Sequence, residues 1–160
     1  MNEAHLHMIV NHFPIIGTIF GLGIIIFGLF FKNNTIKNTA YSLFIVAALF
    51  AFASMATGDG AEDMVKDMPN IGRKIIHEHE EMAEKLAIVL YVLGIISIFG
   101  IYTNVKNKAK ANLVSYIAAT VALVAVLLAM QTGTSGGEIR HTEIRENTGA
   151  TLPEKVNKAE

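Results

Sequence analysis

Four stretches of this chain, 13–31, 39–57, 86–103 and 113–131, contain no Asp, Glu, Lys or Arg. Each is close to the roughly 20 residues that a helix needs to cross about 30 Å of hydrocarbon. None shows the two-residue alternation of a barrel strand, and a helix satisfies its own backbone hydrogen bonds where lipid offers no partner. The expected fold class is therefore an all-α membrane protein, a four-transmembrane-helix bundle. Its spans are expected at about 8–31, 39–57, 71–104 (with an outer extension) and 113–131, forming a domain over 1–131, with 132–160 an outer C-terminal tail. The apolar share, 52%, and the mean hydropathy, +0.43, lie above those of ordinary soluble domains and agree with this class.

The net charge is only -1, but the charges are sorted along the chain. Lys32 and Lys37 lie in the first connection and Lys106, Lys108 and Lys110 in the third, with no acid in either. By the positive-inside rule both connections are cytoplasmic and both termini face outward. Residues 1–14 carry no Lys or Arg, so a cationic signal region is missing and the first span is expected to be retained. The chain has no cysteine, which excludes disulfides, iron–sulfur ligation and c-type haem attachment. Any metal must be held by His, Met, carboxylate or backbone.

Local composition divides the outer segments. Thr57-Gly58-Asp59-Gly60 reads as a turn and 61–68 as a short amphipathic helix. Pro69-Asn70 reads as the start of a helix that projects beyond the membrane and runs into the third span. Residues 131–137, rich in Gly, Thr and Ser, are expected to break the fourth helix and lead into a polar tail whose last part is disordered. Gly17 with Gly21, and the stripe Ala118, Ala122, Ala125 and Ala129, are read as close helix packing in preference to a cofactor-facing surface. Two helical hairpins in succession could hide a weak pseudo-repeat.

The histidines are the candidate chemistry. His5, His7 and His12 precede or open the first span, His77 and His79 precede the third, and His141 follows the fourth, so all six gather at one face of the bilayer. One surface histidine is usually inert; six at one end argue for a shared site. On a helix His79 shares a face with Ile75, Ile76, Met82, Ala83 and Leu86, so it is expected to point into the bundle. His77 shares one with Glu80, Glu81 and Glu84 and is expected to face water or a carboxylate. His7 and His12 are about 140° apart on a continuous helix, so they cannot chelate one ion as an i, i+4 pair does. A site completed from several helices fits better than a local His-x-x-x-His zinc motif, which is absent.

The segment Leu6-His7-Met8-Ile9-Val10-Asn11-His12-Phe13-Pro14 resembles the His-Pro-x-x-x-His-Phe-Pro opening of DUF2231, a small bacterial membrane family. His79-Glu80-Glu81-Met82-Ala83 resembles that family's His-Glu segment, and Gly136-Gly137-Glu138-Ile139-Arg140-His141 its Gly-Gly-x-Leu-Val-Tyr-x-His ending. Met8 replaces the first Pro, and the ending is shorter. The resemblance implies a four-helix membrane fold in a bacterial inner (cytoplasmic) membrane, with the histidines facing the periplasm or cell exterior. It singles out His7, His12, His79 and His141 and implies a haem-binding or redox role.

A b-type haem held by two histidines suits a four-helix bundle, because the core accepts a flat apolar ring while imidazoles supply the axial bonds. The expected axial pair is His12 with His79, with His7 and His141 as a second pair, and Arg140, Arg73 and Arg145 near the propionates. Such a protein would be an electron-transfer relay or a subunit of a respiratory complex, with the lipid bilayer and a redox or membrane-complex protein as partners. The alternative is copper, since all seven methionines also fall in the outer half. The same four histidines would hold it, with His5, His77 and Met82 as second-tier ligands; zinc is weaker. A third reading is a cofactor-free structural or assembly subunit. No nucleophile elbow or phosphate loop supports catalysis, and no ionisable residue lies at the midplane to support an ion pump. Nucleic acid is not an expected partner, because the outer face is acidic.

Overall fold

The structure is a computed structural model that describes residues 2–68 and 71–145. Five α-helices follow in order: α1 (Glu3–Val10), α2 (His12–Phe30), α3 (Asn34–Val65), α4 (Arg73–Val105) and α5 (Ala111–Arg140), with a short 3-10 turn at Thr142–Ile144. With α1 and α2 taken together, four helices are long and apolar enough to cross a membrane, and no strand occurs among the described residues. Helices α2, α3, α4 and α5 pack in a closed ring, each against its two chain neighbours, with α5 returning to α2. All five lysines of the two short connections lie at one end of this ring, and the histidines lie at the other.

The break between α1 and α2 has a covalent cause. Pro14 has no N–H to give to the carbonyl of Val10, four residues earlier, and its ring crowds that carbonyl. The chain bends at Asn11, between His7 and His12, and α1 lies against α3.

The two lysine-end turns are built alike. After α2, the N–H of Asn33 reaches Gly28 O (2.9 Å) and that of Lys32 reaches Leu29 O (3.2 Å); after α4, the N–H of Lys108 reaches Thr103 O (2.9 Å) and that of Asn107 reaches Asn104 O (3.2 Å). Lys32 (φ 51°) and Asn107 (φ 47°) take the left-handed conformation that this helix ending requires. The hairpins α2–α3 and α4–α5 thus match at a constant offset of 75, the separation of Lys37 and Asn112, which hydrogen-bond to each other at 2.9 Å. Equivalent residues that touch lie on a twofold axis, so the bundle is two hairpins related by a pseudo-twofold along the helix direction. The sequence shows no long-period repeat, and the weak pseudo-repeat that two successive hairpins could hide is visible in these matching turns.

Small residues let the helices close. Ala118, Ala122, Ala125 and Ala129 are all buried, as expected for a packing stripe. Gly17 faces Ala47, with 3.4 Å between a Cβ built there and the Ala47 Cβ, and Gly21 lies under the Phe44 ring. Gly100 receives the ring of Tyr41, whose hydroxyl donates to Ser115 Oγ at 3.0 Å in the buried core. The side chains facing lipid are large and apolar, Phe20, Phe52, Ile95 and Leu127 among them.

Two expected breaks are absent. Helix α3 continues through Thr57-Gly58-Asp59-Gly60 to Val65, so no turn forms there and the piece expected at 61–68 is largely the end of α3. Gly60 has a packing role: a Cβ there would run into the Glu3 carboxylate of α1. Helix α5 likewise continues through 131–137 to Arg140. Its hydroxyls bond back along the helix, Thr132 to Leu128 O (2.9 Å) and Thr134 to Met130 O (3.0 Å), and its glycines allow close approach. Tertiary packing overrides weak local propensity in both places. The fourth helix therefore ends at Arg140 and not at 131. The expected helix start at Pro69-Asn70 and the polar end of the tail lie outside the described residues; α4 begins at Arg73.

Candidate functional site at the histidine end

His7 and His79 are the two histidines turned into the bundle. Both lie beyond the charge-free spanning stretches, His7 on α1 and His79 on the projecting first turns of α4. Because α1 lies against α3, the His7 Nδ1–H donates to Ser54 O at 3.1 Å, with Thr57 Oγ1 at 3.0 Å. A carbonyl only accepts, so Nδ1 carries the hydrogen and Nε2 keeps its lone pair. The ring of His79 meets α5 in the same way. Its Nδ1 lies 3.0 Å from Ser135 Oγ, which itself donates to Thr132 O at 3.1 Å. With the hydroxyl hydrogen directed to Thr132, Ser135 accepts from Nδ1–H, and Nε2 is again the free nitrogen.

Each imidazole is held on the second helix of its own hairpin, His7 at Ser54 and Thr57 and His79 about one turn farther out at Ser135, whose counterpart at the offset of 75 is Gly60. Gly136 makes the α5 seat possible, since a Cβ there would sit 2.9 Å from His79 Cε1 and 3.3 Å from Nδ1.

Burial lowers the pKa of His7, opposed in part by the hydrogen bond to the Ser54 carbonyl. Burial also lowers that of His79; the nearby charge of His7 lowers it further, and the Thr132 carbonyl opposes both. In both rings burial thus favours the neutral form. Folded-state values below the ordinary 6.5 mean that the unfolded chain binds more protons just under that pH. Their contribution to stability is complete above about pH 6.5 and is lost as pH falls toward the folded values. Thermal unfolding of the cofactor-free protein in detergent is expected to give a lower Tm at about pH 5.5 than at about pH 7.5. The His7→Gln, His79→Gln double variant should lose most of that difference, and an unchanged difference would contradict the assignment.

The other sequence candidates lie elsewhere. His12 is exposed, its Nδ1–H directed to Met8 O of its own helix turn at 2.6 Å. His5 is exposed on α1. His77 faces outward between Glu80 (3.7 Å) and Glu81 (3.4 Å), as its helical face implied. His141 is exposed and meets Glu143 at 2.9 Å. That contact helps to hold the Glu143 carboxyl below its usual range, after the larger effect of Glu143's own backbone N–H. Arg140 directs Nη1 to Met68 Sδ at 2.9 Å, and Met82 is half-buried on α4. Arg145 closes the end of α5 by donating to Glu138 O (2.7 Å) and Ile139 O (3.1 Å). Of the four histidines that the resemblance singles out, His7 and His79 are thus half-buried and turned into the bundle, whereas His12 and His141 are exposed. Among the described residues no group of three or more His, Cys, Asp or Glu is arranged to hold a metal ion.

Sequence reasoning missed the seats: Ser54, Thr57, Thr132, Ser135 and Gly136. The available signal was the matched spacing Ser54-x-x-Thr57 and Thr132-x-x-Ser135 at the histidine ends of α3 and α5, one hydroxyl pair per hairpin.

Fold and site together define a small four-helix membrane bundle with a pair of half-buried imidazoles seated at one end. The family model described as "Predicted membrane protein (DUF2231)" matches residues 3–143, and the chain belongs to that family. No curated protein and no solved structure matches the chain.

Proposed function

We propose that this protein is a membrane b-type haem protein in which His7 and His79 are the axial imidazoles, acting as a one-electron relay at the histidine end of the bundle. The carrying observation is the pair of half-buried seats, each holding a ring by Nδ1–H on an oxygen acceptor, the tautomer in which Nε2 carries the lone pair that a metal would take. Anchoring of the second ring nitrogen is the usual outer support of a metal-binding histidine. The donor set also fits. Two imidazoles, with no group of three or more His, Cys, Asp or Glu arranged for a metal among the described residues, are too few for a protein-held zinc ion, which takes three or four such ligands. A haem brings four nitrogens and asks only axial ligands of the protein, and its one-electron couple is tuned by those ligands.

On this reading the lysine end faces the cytoplasm of a bacterium and the imidazole pair faces the periplasm or exterior. Electrons would be exchanged there with a redox protein or with a larger membrane complex meeting the projecting first turns of α4 and the end of α3. The test is an absorption spectrum of the purified protein, oxidised and reduced, with metal analysis of the same sample. The expected result is about one iron per chain and the sharp reduced bands of a bis-imidazole haem. Copper or zinc in its place would overturn the haem assignment, and a metal-free, colourless protein that takes up no added haemin would leave the cofactor-free subunit standing.

A further inference from the structure

The lysine end is not uniformly basic. Lys37 turns inward, with 1% relative exposure, and donates to Asn112. Lys108 and Lys110 remain exposed at the rim of a groove of about 520 Å³ between the end of α4 and the start of α5. The floor of the groove is formed chiefly by Phe99, Tyr102, Leu113 and Ile117. These four are exposed, at 54%, 50%, 55% and 45%, and they straddle the ends of the spanning stretches 86–103 and 113–131. The floor is thus at the level of acyl chains, and the rim at that of head groups.

We propose that this groove is a binding site for one anionic glycerophospholipid, with an acyl chain along Phe99, Leu113 and Ile117 and the phosphate between Lys108 and Lys110. Three observations converge on that occupant. Neither lysine has an acidic partner within its connection, where Asp and Glu are absent. The turn that carries them is fixed, the Lys108 N–H being held by Thr103 O at 2.9 Å, so little order has to be imposed on binding. The molecule also contains its own control. The α2–α3 hairpin has the same turn, but the positions equivalent to Lys108, Lys110, Leu113 and Ile117 are Asn33, Thr35, Asn38 and Ser42. Asn33 and Thr35 are engaged with each other in capping α3, at 2.9 Å. The other hairpin keeps one exposed cation, Lys32, and apolar counterparts of Phe99 and Tyr102 in Ile24 and Phe27, but it has neutral polar groups at the four positions where this hairpin has Lys108, Lys110, Leu113 and Ile117, so turn geometry does not account for the basic groove. Basic pockets between helices at the cytoplasmic level suit anionic lipid head groups.

The experiment titrates the purified full-length protein in neutral detergent with phosphatidylglycerol, phosphatidylcholine or inorganic phosphate, read by native mass spectrometry and Tm. Phosphatidylglycerol is expected to stay bound and raise Tm. Phosphatidylcholine and inorganic phosphate should do neither. The double variant Lys108→Gln, Lys110→Gln should bind phosphatidylglycerol roughly 30-fold more weakly, about fivefold for each surface lysine. Lys108→Arg with Lys110→Arg should restore binding, and Lys32→Gln on the other turn should leave it unchanged. Equal binding of phosphatidylcholine, an effect reproduced by inorganic phosphate alone, or undiminished affinity in the glutamine variant would each overturn the site. The lysines are exposed on a turn, and circular dichroism of each variant separates loss of binding from loss of fold.

Discussion

Replacing His79 by alanine is expected to abolish the reduced-minus-oxidised haem spectrum of the purified protein, and replacing His7 should do the same. Replacing His12 should leave the spectrum intact. The contrast follows from where the rings are held. His7 and His79 are half-buried and anchored on Ser54, Thr57 and Ser135, whereas His12 is exposed and tied to its own helix at Met8 O. A b-type haem with one of two axial imidazoles removed loses its low-spin bands even where some haem remains bound. The seats give a graded version of the test. Thr57→Val and Ser135→Ala leave both ligands in place but remove an oxygen acceptor, and loss of such outer partners typically costs about 10- to 100-fold in affinity. If His12→Ala removes the spectrum while His7→Ala does not, the pairing proposed for this site is wrong.

The second large effect is expected at Gly100. A Cβ there would lie 2.6 and 2.7 Å from the two Cε atoms of Tyr41, well inside normal contact. The ring cannot swing aside cheaply, because its hydroxyl is hydrogen-bonded to buried Ser115 and its neighbours Phe44 and Leu93 are fully buried. Gly100→Ala should therefore destabilise the bundle by about 1–3 kcal/mol, the usual range for overpacking. Gly23→Ala provides the control. Nothing lies within 4 Å of a Cβ at Gly23, so alanine there should be neutral or stabilising by up to about 1 kcal/mol through helix propensity. Unfolding in detergent by heat or by added dodecyl sulfate measures both. Equal stabilities for the two variants would mean that the Tyr41–Gly100 contact is not a constraint on the fold.

Much of the architecture was legible because it depends on properties that a sequence displays directly. Absence of charge over the length of a bilayer marked the four spans, and lysine asymmetry separated the two ends. Helical spacing placed His79 inward and His77 outward, as the structure has them. The alanine stripe of α5 could be read from its own periodicity. Features that depend on a neighbour were not legible. Gly58-Asp59-Gly60 and 131–137 look like breaks when propensity is summed locally, but Gly60 gives room to Glu3 and Gly136 to His79, and the helices continue. The inward turn of His7 was hidden too. His7 and His12 lie on different faces, as their spacing implied, and only the packing of α1 on α3 shows which of the two meets a neighbour.

The pseudo-twofold axis has a consequence for what this chain can hold that two separate identical hairpins could not. In a dimer of identical hairpins every position on the axis meets its own copy, so a lysine there would face a lysine in a buried setting, an arrangement that like-charge repulsion disfavours. Joining the hairpins in one chain permits unlike residues at that point, and Lys37 meets Asn112 instead. The same freedom operates at the opposite end, where the corresponding helices carry their half-buried histidines at non-equivalent positions: Met82 stands at the counterpart of His7 and Ala4 at that of His79. Covalent connection thus lets a nearly symmetric scaffold place two half-buried imidazoles out of register with each other, which a dimer of identical hairpins could not do.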